Sequence, residues 1–163
     1  MFAEDLKTGR KYERMVANLY EQTGKEVVMA PQQWWPYDFT IDGVEVEVKA
    51  DIASVKTKNL AIEVERVFDD GEQVDSGIIT FAKDYPKGLW YHISGNKLWI
   101  IPALKLREYV NTCFDRRFAD SDTIQDRHYR TRCCIVPIVV FEEEFTPIVD
   151  WQENLVVPIQ TIR

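Results

Sequence analysis

The chain is short of the residues that mark several functional classes. Its 163 residues include 3 cysteines and 2 histidines. A small, odd cysteine count argues against a disulfide framework and for a reducing compartment. Cys113, His128, Cys133 and Cys134 do not show zinc-ligand spacing, and neighbouring cysteines in an apolar stretch usually belong to a core. Long hydrophobic runs are missing as well. The longest, Cys133 to Phe141, is interrupted by Pro137 and is too short to cross a bilayer. Met1 to Asp5 lacks the basic start and apolar stretch of a secretory leader, so the expectation is a cytoplasmic protein with no membrane partner. There is no glycine-rich phosphate loop, and neither histidine has a serine or cysteine arrangement for nucleophilic catalysis. Nor is there an excess of positive charge. The net charge of −7 argues against a protein that coats nucleic acid without specificity, although it leaves room for carboxylates gathered around a cation.

What is present is the composition of a folded domain, with 45% hydrophobic and 12% aromatic residues. The length suits one domain spanning residues 1–163, with a core over about 4–112 and a C-terminal extension over about 113–163. Leu6, Tyr12, Val16, Leu19 and Tyr20 recur at helical spacing, which predicts a helix over residues 4–22, with Gly24 as its stop. A strand over residues 25–30, a Trp-rich loop over 31–36 and a hairpin over 37–49 follow. A polar linker leads to a strand over 60–65, in which Leu60, Ile62 and Val64 face one way and Glu63 and Glu65 the other. Asp75, Ser76 and Gly77 have the chemistry of a helix start, with the helix reaching about Asp84. A second hairpin spans 89–101, and Pro102 suits the first turn of a helix to about Phe114. Residues 115–132 read as a surface loop, with strands over 134–141 and 154–159 beyond it. An α/β fold with one central mixed sheet flanked by helices is the simplest account.

The hairpin carries the chemistry. Asp42-Gly43 is a two-residue turn signal between two alternating strands. If Ile41 and Val44 flank the turn, Phe39 faces Val46 and Asp38 lies opposite Glu47. Side chains so paired stand about 4.5–5.5 Å apart, and like charges there destabilise a sheet. Alternation places Glu45, Glu47, Lys49 and Asp51 on one face and three valines on the other. A hard divalent cation would turn the repulsion of Asp38 and Glu47 into ligation. Otherwise the face is solvated and Lys49 pairs with Glu47 or Glu45. Glu45 and Asp51 read as peripheral to the site.

Glu13 falls at the edge of the apolar stripe of the first helix, where a charge costs free energy unless partnered. It either pairs with Arg10 and water or faces the acidic hairpin. Glu63 has the same two options, a solvent-facing residue or a further ligand. Arg10 and Arg14 are candidate phosphate contacts. Ser76, Thr80 and Lys83 would form a polar stripe that meets phosphates or simply faces water. Trp34 and Trp35 would stack on unpaired bases or join the core.

A helix glutamate followed by Asp-x8-Glu-x-Lys on a hairpin resembles the PD-(D/E)xK nuclease superfamily, which includes restriction endonucleases, archaeal Holliday-junction resolvases and a phage endonuclease that cuts branched DNA. The likeness covers roughly Glu13 to Lys83, and Tyr37 stands where the pattern has proline. The resemblance implies a restriction-endonuclease-like core and a metal-dependent DNA endonuclease using Mg²⁺, with Mn²⁺ as a substitute. Asp38 and Glu47 would be metal ligands, Glu13 and Glu63 further acidic groups, and Lys49 the residue that positions or activates water. Branched or junction DNA is the favoured substrate, because the small chain leaves little room for base reading, and a homodimer would supply two cuts. The alternatives are a nuclease acting on RNA or single strands, and a non-catalytic binding or inhibitory protein that keeps the fold.

Overall fold

The computed structural model describes residues 2–32, 35–112, 118–120 and 128–155. Helix α1 (Phe2–Gln22) is followed by strands β1 (Val27–Met29), β2 (Phe39–Ile41) and β3 (Val44–Ala50), then by helix α2 (Ser54–Thr57). Strands β4 (Asn59–Phe68) and β5 (Gln73–Asp75) precede helix α3 (Ile78–Asp84). Strands β6 (Leu89–Ser94) and β7 (Lys97–Pro102), helix α4 (Ala103–Thr112) and strands β8 (Phe118–Asp120) and β9 (Tyr129–Pro137) come next. Helix α5 (Ile138–Phe141), strand β10 (Ile148–Val149) and helix α6 (Trp151–Asn154) complete the order.

The strands form a six-stranded sheet, β1-β2-β3-β6-β7-β10, and a four-stranded sheet, β5-β4-β9-β8. Among the described strands only β3 and β6 run parallel, and the crossover between them contains α3. The hairpin register is the one its alternation predicts, with Ile41 on Val44 and Phe39 on Val46. Asp42 and Gly43 both take positive φ, 48° and 81°, as the tight turn requires.

Two apolar cores lie on opposite faces of the larger sheet. Val16, Ala17 and Tyr20 of α1 pack on Phe39, Ile41, Val46, Val48 and Tyr91. On the other face Trp90, Trp99 and Ile101 meet α3, α4 and the inward residues Leu60, Ile62 and Val64 of β4. Each of these three β4 residues alternates with a more exposed neighbour, as the sequence predicts. Their strand pairs with β9, however, so the expectation of one central sheet gives way to two.

Other differences have local causes. Pro102 ends β7 rather than opening a helix, because the β6 register still holds it opposite Leu89. Residues 115–132 are not only loop: β8 and the start of β9 fall there, and alternating charge hid a strand whose neighbour, β4, is itself charged. Residues 138–141 form α5, so the strand predicted over 134–141 stops at Pro137. Asn154 lies in α6, and the rest of the strand predicted over 154–159 falls largely outside the described residues. The stretch expected as a C-terminal extension supplies Cys134, Val136 and Phe141 to one core and Trp151 to the other. Among the described residues, no helix is long and apolar enough to cross a membrane.

Candidate active site

The short β2 sets the geometry of the site. Its ladder ends at Phe39, and Asp38 bridges the gap with both backbone and side chain. The Asp38 N–H donates to the Val46 carbonyl at 2.9 Å, and its own carbonyl accepts from Ala30 N–H at 2.9 Å. Its carboxylate Oδ2 accepts from Val48 N–H at 2.7 Å. Asp38, just beyond the ladder, is thereby held where the Glu47 charge acts on it, and α1 brings Glu13 into the same group.

Proton affinities report how crowded this point is. Burial, and then the Glu47 charge, push the Asp38 carboxyl well above the usual carboxylate range, with Lys49 opposing and Glu13 adding to the rise. Burial and the Glu47 charge also raise Glu13, against the pull of Lys49 and of a hydrogen bond to Asp38. Both carboxyls are thus held above the ordinary carboxylate range by burial and by the charge of Glu47.

Lys49 Nζ pairs with Glu47 Oε1 at 2.7 Å; the lysine side chain retains 40% exposure and the glutamate 16%. Glu47 above all, with Asp38 and Glu63 adding, holds the Lys49 ammonium more firmly protonated than usual, outweighing burial. An ammonium with raised proton affinity orients anions and stabilises developing charge; it is a poor base. Its Nζ also stands 5.8 Å from the centre of the Trp90 ring.

Glu63, on β4, adds its charge to those acting on Lys49. Its carboxylate accepts from Ser76 Oγ at 2.8 Å and lies 3.5 Å from Arg66 Nε. Gly77, at φ 55°, packs so tightly on this strand that a Cβ would collide with the Glu63 carbonyl oxygen. The predicted polar stripe is therefore not a phosphate-facing row. Ser76 is buried ahead of the helix and holds Glu63, Thr80 Oγ1 donates to the Gly77 carbonyl at 3.1 Å, and only Lys83 is exposed.

A cleft of about 330 Å³ opens beside the carboxyls, lined by Arg10, Glu13 and Arg14 on one side and by Gln32, Tyr37 and Asp38 on the other. Trp35, 38% exposed, sets its ring edge against Tyr37 at 6.4 Å. Trp34 lies outside the described residues.

Sequence reasoning passed over Trp90 and His92, and placed Asp51 at the periphery. All three line the polar face, where Glu47 is paired with Trp90 and Lys49 with His92 across the parallel β3–β6 ladder. The signal was there in the two-residue spacing of Trp90 and His92, but which strand would lie beside β3 was not readable.

Among the described residues, no three His, Cys, Asp or Glu side chains are grouped as a ready-made metal cage. The donor chemistry nevertheless fits a hard divalent cation: burial and neighbouring negative charge raise the proton affinity of Asp38 and Glu13, a cost that a cation would offset, and Glu47 is paired with an ammonium that a cation would replace. Asp38 and Glu47 are the residues that would hold it, with Glu13 adjoining. Comparison with protein-family models, with curated proteins and with solved structures finds no match.

Proposed function

We propose that this chain is a divalent-metal-dependent endonuclease of restriction-endonuclease-like fold that hydrolyses DNA phosphodiesters and is suited to branched or junction DNA. One observation carries the reading: Glu13 from α1 and Asp38, Glu47 and Lys49 from the β2–β3 hairpin converge at one point. Their order and spacing are those of the PD-(D/E)xK pattern. The antiparallel run β1-β2-β3, followed by the parallel neighbour β6 across a crossover containing α3, is in keeping with that core.

A bound Mg²⁺ or Mn²⁺ would polarise the phosphoryl oxygen, activate the attacking water and take up charge on the leaving oxygen. Asp38 and Glu47 would supply its carboxylate ligands, and Glu63 stays hydrogen-bonded to Ser76 at the margin. Lys49, held protonated, would orient the phosphate and offset its developing charge. Arg10 and Arg14 on the cleft wall would take the flanking phosphates, and Trp35, packed against Tyr37 of the facing wall, would meet an unpaired base. Two symmetric cuts in a junction would need two copies of the chain.

The test is incubation with duplex, single-stranded and four-way-junction DNA and with RNA, each with and without Mg²⁺, beside Lys49→Ala. Metal-dependent cleavage of junction DNA that is lost in Lys49→Ala is the expected result. Cleavage confined to RNA or single strands would move the substrate. Binding without cleavage, with or without metal, would leave a non-catalytic binding protein, a reading in keeping with the net charge of −7.

A further inference from the structure

A cation at the carboxyls and the ammonium of Lys49 compete for the same group. Glu47 is one of the two proposed ligands, and it is also the partner of Lys49 at 2.7 Å. Once Glu47 turns to a cation, Lys49 needs another anchor or it swings into solvent, since its side chain is already two-fifths exposed. A lysine that swings freely surrenders the advantage of preorganised charge.

The second anchor is the ring of Trp90. Lys49 Nζ stands 5.8 Å from the centroid of the Trp90 ring, inside the reach of about 6 Å over which a cation is attracted to an aromatic face. Trp90 is 1% exposed and is locked by two contacts. Its ring packs on Phe81, with centroids 6.0 Å apart, and its indole N–H donates to His92 Nδ1 at 3.4 Å. An indole N–H can only donate, so Nδ1 is the acceptor and the ring proton sits on Nε2. That nitrogen lies 3.1 Å from Asp51 Oδ2 and donates to it. Asp51 is pinned in turn by Ala61 N–H at 2.8 Å and Ser54 N–H at 3.2 Å. The row runs from the backbone of β4 through Asp51, His92 and Trp90 to the ammonium.

We infer that Trp90 is a positioning residue for Lys49, oriented by the His92–Asp51 pair, and that it retains the ammonium over the site when Glu47 is drawn to a cation. This rests on the nuclease reading for its purpose but not for its geometry. Trp90 touches neither phosphate nor water in this role and acts only through the lysine. The arrangement also gives a use to a buried histidine, 1% exposed, that the proposed chemistry otherwise leaves idle.

The experiment follows Lys49 directly. Reductive ¹³C-methylation labels the lysines, and the Lys49 methyl resonance is the one missing from Lys49→Arg. The expected signal is shifted upfield of the exposed lysines by the indole ring current, and it stays shifted when Mg²⁺ is added. In His92→Leu, which removes the acceptor of the indole N–H, the shift is reduced. In His92→Asn, whose side-chain oxygen can take the place of Nδ1, it is largely restored. Metal-dependent turnover should fall about tenfold in His92→Leu with little change in KM, and recover in His92→Asn. A Lys49 resonance among those of the exposed lysines, before or after Mg²⁺, overturns the inference, and so does a shift identical in all three proteins. If wild type shows no cleavage, the nuclease reading fails, while the resonance still decides whether the indole holds the lysine.

Discussion

Strand β3 presents two faces of opposite character. Toward α1, Val46 and Val48 are buried and pack with Phe39 and Tyr91, and every contact there stabilises the fold. The other residues of the strand, Glu47 and Lys49, interact with Glu63 of β4 and, at the end of β2, with Asp38 and Glu13, where burial and like charge oppose one another. The two faces share one backbone and one register. The apolar face supplies the rigidity that lets the polar face hold carboxyls in an unfavourable arrangement, which is how strain persists at working sites.

The largest effect expected from breaking this contrast is on the apolar side. Phe39→Ala empties a fully buried position opposite Val46 and should cost about 3–5 kcal/mol of stability, measured by urea unfolding. Asp38→Asn should cost far less, because an amide oxygen still accepts the Val48 N–H. A similar loss in both would mean that the faces do not differ in kind.

On the polar side the effect is on rate. Lys49→Ala should lower metal-dependent cleavage by at least about 10²–10³-fold with the melting temperature little changed, since the lysine lies outside the valine-lined core. Undiminished turnover in purified Lys49→Ala would end the site hypothesis. Glu13→Gln keeps shape and helix propensity but removes a carboxyl, and should slow the reaction by one or more orders of magnitude. An edge residue with no part in the site would leave the rate untouched.

Proton linkage sharpens the comparison further. Asp38 and Glu13 are raised in the folded state, so the folded chain binds more protons than the unfolded one between the ordinary carboxylate range and the raised values. Stability is therefore fully present below the ordinary range and is lost as pH rises through the folded values. Metal-free protein melted in a series from about pH 4 to pH 8 should lose stability with rising pH, and Asp38→Asn combined with Glu13→Gln should flatten that trend. Mg²⁺ should raise the melting temperature of wild type more at the higher pH, because protons compete with a cation for carboxyls whose proton affinity is raised. A Mg²⁺ response that is absent, or equal at all pH values, would speak against a cation at these carboxyls.

The smallest effects belong to the cleft wall. Arg10→Ala and Arg14→Ala should weaken DNA binding and reduce the magnitude of the salt slope by about one per residue, with the metal requirement unaltered. Titrating binding against salt concentration separates them from Glu13.

Local pattern was enough for much of this protein. Alternation and a two-residue turn defined the β2–β3 register from Phe39 to Val46, while Asp38 lies just beyond the ladder and is held by the Val46 carbonyl and the Val48 N–H. Helical spacing put Glu13 at the edge of its stripe, and Leu60, Ile62 and Val64 announced the inward face of β4. These features depend on residues close in sequence, whose side-chain directions follow from period alone. The pairing of distant strands does not. That β4 would leave the larger sheet for β9, that β6 would lie parallel beside β3 and bring Trp90 and His92 to Lys49, and that Ser76 would turn inward to hold Glu63 were decided by tertiary packing. Strand partners are chosen by complementary burial across the whole chain. A single strand carries the period that fills its own faces but nothing that names its neighbour.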